Sequence, residues 1–140
     1  MFIDPNELIE IKIYYKRNGR HYEVIETEDY DILDEVDKEK YKCLIVKVRE
    51  LTWGLYNELN EESVMKDNLG GRQWNYKLYK ENKLRKVLVS WDAQKLNDKG
   101  IPIQIPLSLE NIKNLAPEIA EQILNAYDTL MIVSEDEEKK

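Results

Sequence analysis

The stretch Ile9-Glu10-Ile11-Lys12-Ile13-Tyr14-Tyr15-Lys16-Arg17-Asn18-Gly19-Arg20-His21-Tyr22-Glu23-Val24-Ile25-Glu26 decides the fold class. From Ile9 to Tyr15 every second residue is apolar, with Glu10 and Lys12 interleaved, which is the period of a strand that buries one face. His21 to Glu26 alternates more loosely, and Asn18-Gly19 lies between the two runs. A type I′ turn needs positive φ at both central residues, so Asn-Gly here predicts a β-hairpin. An isolated hairpin is marginal in water and needs a further strand. Tyr41 to Leu51 supplies it, with Leu44, Val46 and Val48 on one face and Cys43, Ile45, Lys47 and Arg49 on the other. Residues 27–40 between them are crowded with acids and hold only Ile32, Leu33 and Val36 as aliphatics, which predicts a connecting loop with one short turn.

Beyond Leu51 the spacing becomes helical. Thr52 is placed to N-cap a helix carrying Trp53, Leu55, Tyr56, Leu59 and Met65 and running to about Lys66. Gly70-Gly71 breaks it, because each glycine costs a helix interior about 1 kcal/mol relative to alanine. From Trp74 to Trp91 the apolar residues do not keep one face. Trp74 and Leu78 lie about a quarter turn from Leu84, Val87, Leu88 and Trp91, which predicts a helix bent near Glu81-Asn82. Residues 97–106, where Ile101, Ile103 and Ile105 alternate with Pro102, Gln104 and Pro106, suit an extended segment laid over a core. Ser108 is an N-cap for Leu109 through Leu115, and Pro117 opens a last amphipathic helix carrying Ile119, Ile123, Tyr127 and Leu130. The expectation is one α+β domain over residues 1–133: an N-terminal three-stranded antiparallel sheet followed by four or five packed helices. Residues 134–140 contain no apolar side chain and read as a solvated acidic tail.

Composition narrows the function. Leu, Ile, Val and Phe account for 39 of 140 residues, enough for a folded core. The formal charge of −7 repels polyanions, so a general nucleic-acid or anionic-membrane binder is disfavoured. Residues 52–107 are mildly basic and both ends are acidic. No apolar run reaches the ~20 residues of a bilayer span. The lone Cys43 has no disulfide partner, and Met1 to Pro5 lacks the features of a signal peptide, so the cytoplasm is the expected compartment.

Catalytic and metal chemistry find little support in the residues. His21 is the sole histidine and reads as an exposed strand residue, and Cys43 reads as a small buried hydrophobe. Asp29, Asp31, Asp34, Glu35 and Asp37 lack the glycine and terminal glutamate of a calcium loop. Gly70-Gly71-Arg72 lacks the lysine and hydroxyl of a phosphate loop and reads as helix punctuation. Lys77, Lys80, Lys83, Arg85 and Lys86, interleaved with Tyr76 and Tyr79, form a basic and aromatic stretch, but lysines at this spacing wind around a helix instead of lining one phosphate track. No enzyme activity, cofactor or metal is expected. Large aromatic and aliphatic side chains remain as the candidate partner contacts: Trp53, Tyr56, Trp74, Trp91, Ile123 and Tyr127, each of which also suits a core.

One longer pattern remains. Val48-Arg49-Glu50-Leu51-Thr52 leads into a helix and a glycine gap, then come Leu88-Val89-Ser90-Trp91-Asp92, Gly100-Ile101-Pro102, Ser108-Leu109-Glu110-Asn111-Ile112 and Leu115-Ala116-Pro117-Glu118-Ile119. This order, over residues 48–133, resembles small tail assembly chaperones and tail accessory proteins of tailed bacteriophages. The resemblance implies a non-enzymatic protein that binds the tape measure protein or the tail tube during virion assembly in the host cytoplasm, accompanied in many members by a longer frameshifted product. A homo-oligomer is compatible with it. A permanent virion subunit of the baseplate, neck or tail is the first alternative, and an acidic regulator on the basic surface of a nucleic-acid enzyme is the second.

Overall fold

The structure, a computed structural model, describes residues 1–138. Among these residues the chain forms β1 (Leu8–Asn18), β2 (His21–Ile25), α1 (Thr27–Asp31), α2 (Glu35–Lys38), β3 (Lys42–Arg49), α3 (Trp53–Glu62) and β4 (Val64–Lys66). Then follow β5 (Arg72–Trp74), α4 (Tyr76–Val87), β6 (Leu88–Trp91), β7 (Gln94–Leu96), β8 (Pro102–Gln104), α5 (Leu109–Lys113) and α6 (Pro117–Glu138). The fold is α+β, with four of the helices after β3. The main sheet has four antiparallel strands in the order β2-β1-β3-β6, not three.

Alternation along β1 does what its period dictates. Ile9, Ile11 and Ile13 stand opposite Val48, Val46 and Leu44 of β3, and Val46 in turn faces Trp91 of β6. This face is covered by α6, whose Ile119, Ile123, Leu124 and Tyr127 join the same core cluster. The opposite face carries Tyr14, which stacks on Tyr30 of α1 with ring centroids 3.7 Å apart. Tyr30 thus anchors the acidic segment, which forms two short helices where a loop with one turn was expected. Asp34 caps the second, accepting from the Asp37 amide at 2.8 Å. Cys43 shares the Tyr14 face and is exposed, not buried.

The fourth strand was read as the end of a helix for a definable reason. Val48 pairs with Leu88 and Lys47 with Ser90, so Val89 is an extra residue in a bulge. The bulge lets Leu88 and Trp91, three apart, both point into the core, and that spacing imitates a helical one. The quarter-turn change in apolar direction therefore marks the passage from α4 to β6 at Val87–Leu88 and not a bend at Glu81-Asn82.

The first hairpin forms one residue away from the expected turn. Asn18 pairs with His21, leaving Gly19-Arg20 as the loop. Gly19 has φ +66° and Arg20 is not positive, the combination of a type II′ turn, where glycine takes the first central place. Two further hairpins replace expected helix and extended segments. α3 ends at Glu62, short of Lys66, and Met65 lies in β4, paired with Gln73 of β5. Gly70-Gly71 therefore punctuates two strands instead of two helices. Within the Asn97 to Pro106 segment, Pro102–Gln104 forms β8 and pairs with β7, which lies just ahead of Asn97.

These two hairpins share one turn design. Asp67 Oδ1 accepts from the amides of Leu69 and Gly71, and Asn97 Oδ1 accepts from those of Lys99 and Ile101. In each loop the fourth residue, Gly70 or Gly100, has φ near +80° and donates to the carbonyl of the first. This is a three-residue loop with a left-handed glycine, as the twist of paired strands demands. The N-caps at Thr52 and Ser108 form as expected, accepting from Leu55 at 3.2 Å and Asn111 at 3.1 Å. Helix α6 extends to Glu138, into the stretch expected as an acidic tail, while Lys139 and Lys140 of that stretch lie outside the described residues.

Candidate partner-binding surface

The six candidate contacts divide by burial. Trp91, Ile123 and Tyr127 are core residues, so they are removed from the set of surface contacts. Trp91 is 6% exposed and donates its indole N–H to the Ile105 carbonyl at 2.7 Å. Tyr127 takes the Leu51 amide on its hydroxyl at 3.3 Å, and burial pushes its phenol above the ordinary range. Trp53, Tyr56 and Trp74 are exposed by 80%, 49% and 51%. In α3 Leu59 is buried and Leu55 half-buried, while Trp53 and Tyr56 face solvent.

Trp74 belongs to a surface cluster that sequence reasoning did not assemble. Asn75 caps α4 by accepting from Leu78 at 2.9 Å, which turns the chain sharply after β5. Trp74 precedes the cap and Tyr79 is the fourth helical residue, so their contact, with centroids 5.0 Å apart, is a hydrophobic staple. Tyr76, itself exposed, lies 6.0 Å from Trp74 and 6.4 Å from Tyr79. The signal in the sequence was the Trp-Asn-Tyr order, apolar residue then cap, ahead of a helix.

The basic stretch of α4 is drawn inward by carboxylates from distant parts of the chain. Lys80 meets Glu121 and Lys83 meets Asp128, each at 2.6 Å, while Arg85 meets Glu62 at 2.9 Å. Lys86 lies between Glu58 at 3.3 Å and Glu62 at 3.1 Å. Lys83 also sits 5.5 Å from the ring centroids of both Tyr79 and Tyr127. Four of the five cations that suggested phosphate binding are thus clamps between α4 and its neighbours α3 and α6. Lys80 donates a hydrogen bond to the Glu121 carboxylate, which raises the Lys80 pKa and favours the charged form that makes this clamp.

Two concavities border this surface. A groove of about 840 Å³ runs between the N-terminal segment, the start of α3 and the later turns of α6. Its apolar lining includes Ile9, Leu51, Tyr56, Tyr79, Tyr127 and Met131, and its carboxylates are Asp4, Glu7, Glu50 and Asp128. A second cleft of about 710 Å³ lies where the β1–β2 turn meets the start of α6. There His21 Nδ1 is 3.4 Å from Glu118 Oε1, with Arg20, Tyr15 and Tyr22 nearby. The His21 side chain is 84% exposed, as its strand position suggested. Burial raises the Tyr15 pKa, which leaves it a protonated hydrogen-bonding group and not a nucleophile near neutrality. Partial desolvation raises the Cys43 pKa, although the residue is exposed, with the charge of Asp92 adding to it.

Among the described residues, no three His, Cys, Asp or Glu side chains are grouped so as to hold a metal ion, and no helix is long and apolar enough to cross a membrane. The aromatic cluster, the acidic apolar groove and the His21 cleft are surface features open to recognition. No protein-family model, curated protein or solved structure matches the chain.

Proposed function

We propose that this protein is a non-enzymatic assembly factor of a bacteriophage tail, a chaperone or accessory protein that covers apolar helical surface of a tape measure or tail tube protein. The observation that carries the reading is the exposed aromatic surface of Trp53, Tyr56, Trp74 and Tyr76 on an acidic chain whose α4 cations Lys80, Lys83, Arg85 and Lys86 are engaged internally. Tryptophan and tyrosine bury large area at low entropy cost and dominate interface energetics. The order of sequence features over residues 48–133 adds the resemblance to tail assembly chaperones. The mechanism is shielding: aromatic side chains exclude water from a client's apolar face until the tail takes over that contact.

Tagging the protein in its native context and identifying co-purifying chains by mass spectrometry tests the proposal. Recovery of a long helical tape measure protein or a tail tube protein is expected, with the factor missing from finished particles. Stoichiometric presence in particles would instead make it a permanent virion subunit. Recovery of a nucleic-acid enzyme alone, in a complex lost steeply with added salt, would replace the reading with an acidic regulator.

A further inference from the structure

We infer that the groove between the N-terminal segment, α3 and α6 is built to take a cationic amphipathic helix, an inference that rests on the assembly reading and names the chemistry of the client segment. Its floor is apolar and aromatic, drawn from Leu51 just ahead of α3, Tyr56 of α3, Tyr79 of α4 and Met131 of α6. Apolar side chains from three helices converge on one groove, a surface into which the apolar face of another helix packs.

Charge decides which helix. Four carboxylates and one lysine line the groove. The lysine is not free: Lys83 is held 2.6 Å from Asp128, between two tyrosine rings, and its side chain is only 14% exposed. Among the described residues Asp4, Glu7 and Glu50 enter no ion pair, so the rim stays negative even with the Met1 ammonium counted. An anionic helix would set its charges against these carboxylates. A helix with lysines or arginines flanking an apolar stripe would neutralise the rim while leucine-sized side chains reach the floor. The arm Met1-Phe2-Ile3, with Phe2 almost fully exposed, forms one wall and offers apolar area to an occupant.

The probe is an 18-residue peptide of leucine and lysine patterned as an amphipathic helix, compared with its leucine and glutamate counterpart by calorimetric titration of the full chain at physiological ionic strength. The lysine peptide is expected to bind at least about tenfold more tightly, and Glu7→Lys with Glu50→Lys is expected to cost at least about tenfold in its affinity. Glu28→Lys with Asp29→Lys changes net charge equally on α1, away from the groove, and is expected to shift affinity less than about twofold. Thermal unfolding of both double variants checks that each is folded, and Tyr56→Ala gives a second, uncharged test of the floor. Equal binding of the two peptides, no binding, or equal losses in both double variants would overturn the inference. Tail client recovered equally well by the Glu7→Lys, Glu50→Lys protein would overturn the groove while sparing the assembly reading. Peptide binding at the groove with no tail client recovered would do the reverse.

Discussion

The indole N–H of Trp91 donates to the backbone carbonyl of Ile105 at 2.7 Å, joining the outer strand of the main sheet to the chain that returns from the β7–β8 hairpin. The same tryptophan carbonyl accepts from the Gln104 side chain at 3.3 Å, and the Ile105 amide donates to Ala93 at 2.8 Å. One aromatic residue thus fills the core with its ring and fixes the hairpin with its polar edge. Trp91→Phe keeps most of the ring but strands the Ile105 carbonyl, for which a loss of about 1–3 kcal/mol is expected in urea unfolding. A loss below a few tenths would mean that the bond carries no stability.

Burial separates two large side chains that looked alike in sequence. Ile123 of α6 is fully enclosed in the core against the sheet, so Ile123→Ala is expected to cost about 2–5 kcal/mol. Trp53→Ala removes a side chain that is mostly in water and is expected to change stability by less than about 0.5 kcal/mol. The same change is expected to weaken recovery of the client in the pull-down. Denaturation curves of the two variants side by side check the first pair of values, and mass spectrometry checks the last.

The twin hairpin loops predict matched responses. Gly70→Ala and Gly100→Ala each force an L residue into a left-handed conformation, with an expected cost of about 1–2 kcal/mol apiece. Gly71→Ala fails differently, because its Cβ would meet the Asp67 carboxylate at 2.5 Å while that carboxylate is held by two amides. Asp67→Asn keeps the acceptor, as Asn97 does in the other loop, and is expected to be tolerated. Midpoints from thermal unfolding rank the four variants, and an Asp67→Asn protein as unstable as Gly71→Ala would break the equivalence of the loops.

Alkali should unfold this protein through its buried phenols. Burial raises Tyr127 and Tyr14 above the ordinary value of 10.0. In the unfolded chain these groups lose their protons near that value, while the folded chain still holds them. The folded state then binds more protons than the unfolded one, so stability is intact below about pH 10 and falls as pH rises beyond it. Tyr127→Phe is expected to flatten that fall, at the cost of leaving the Leu51 amide without its acceptor at every pH. Urea midpoints measured from pH 8 to 11 on both proteins test this, and parallel curves would exclude Tyr127 as a contributor.

Local chemistry was legible wherever a single residue or a short period sets the backbone. The alternation of Ile9, Ile11 and Ile13, the cap residues Thr52 and Ser108, the proline at the head of α6 and the glycine at the first hairpin are each determined by neighbours a few positions away. The fourth strand was not legible, because a bulge at Val89 gave Leu88 and Trp91 the spacing of a helix. The same limit hid the β4–β5 hairpin, since Met65 at a helical distance from Leu59 carries no sign of its pairing with Gln73.

Which aromatic residues face water lay wholly with the tertiary structure. Trp53 and Trp91 both suit a core by sequence, yet only Trp91 meets Val46 across a strand and Ile105 from a returning chain. The lysines of α4 looked like a basic stretch until Glu121 and Asp128, more than forty residues away, came to lie beside them. Sequence by itself determined the α+β class, the sign of the net charge and where α3, α5 and α6 begin, because those depend on backbone sterics and composition. Burial, charge pairing and the acidic groove depend on which distant elements meet, and only the folded chain decided them.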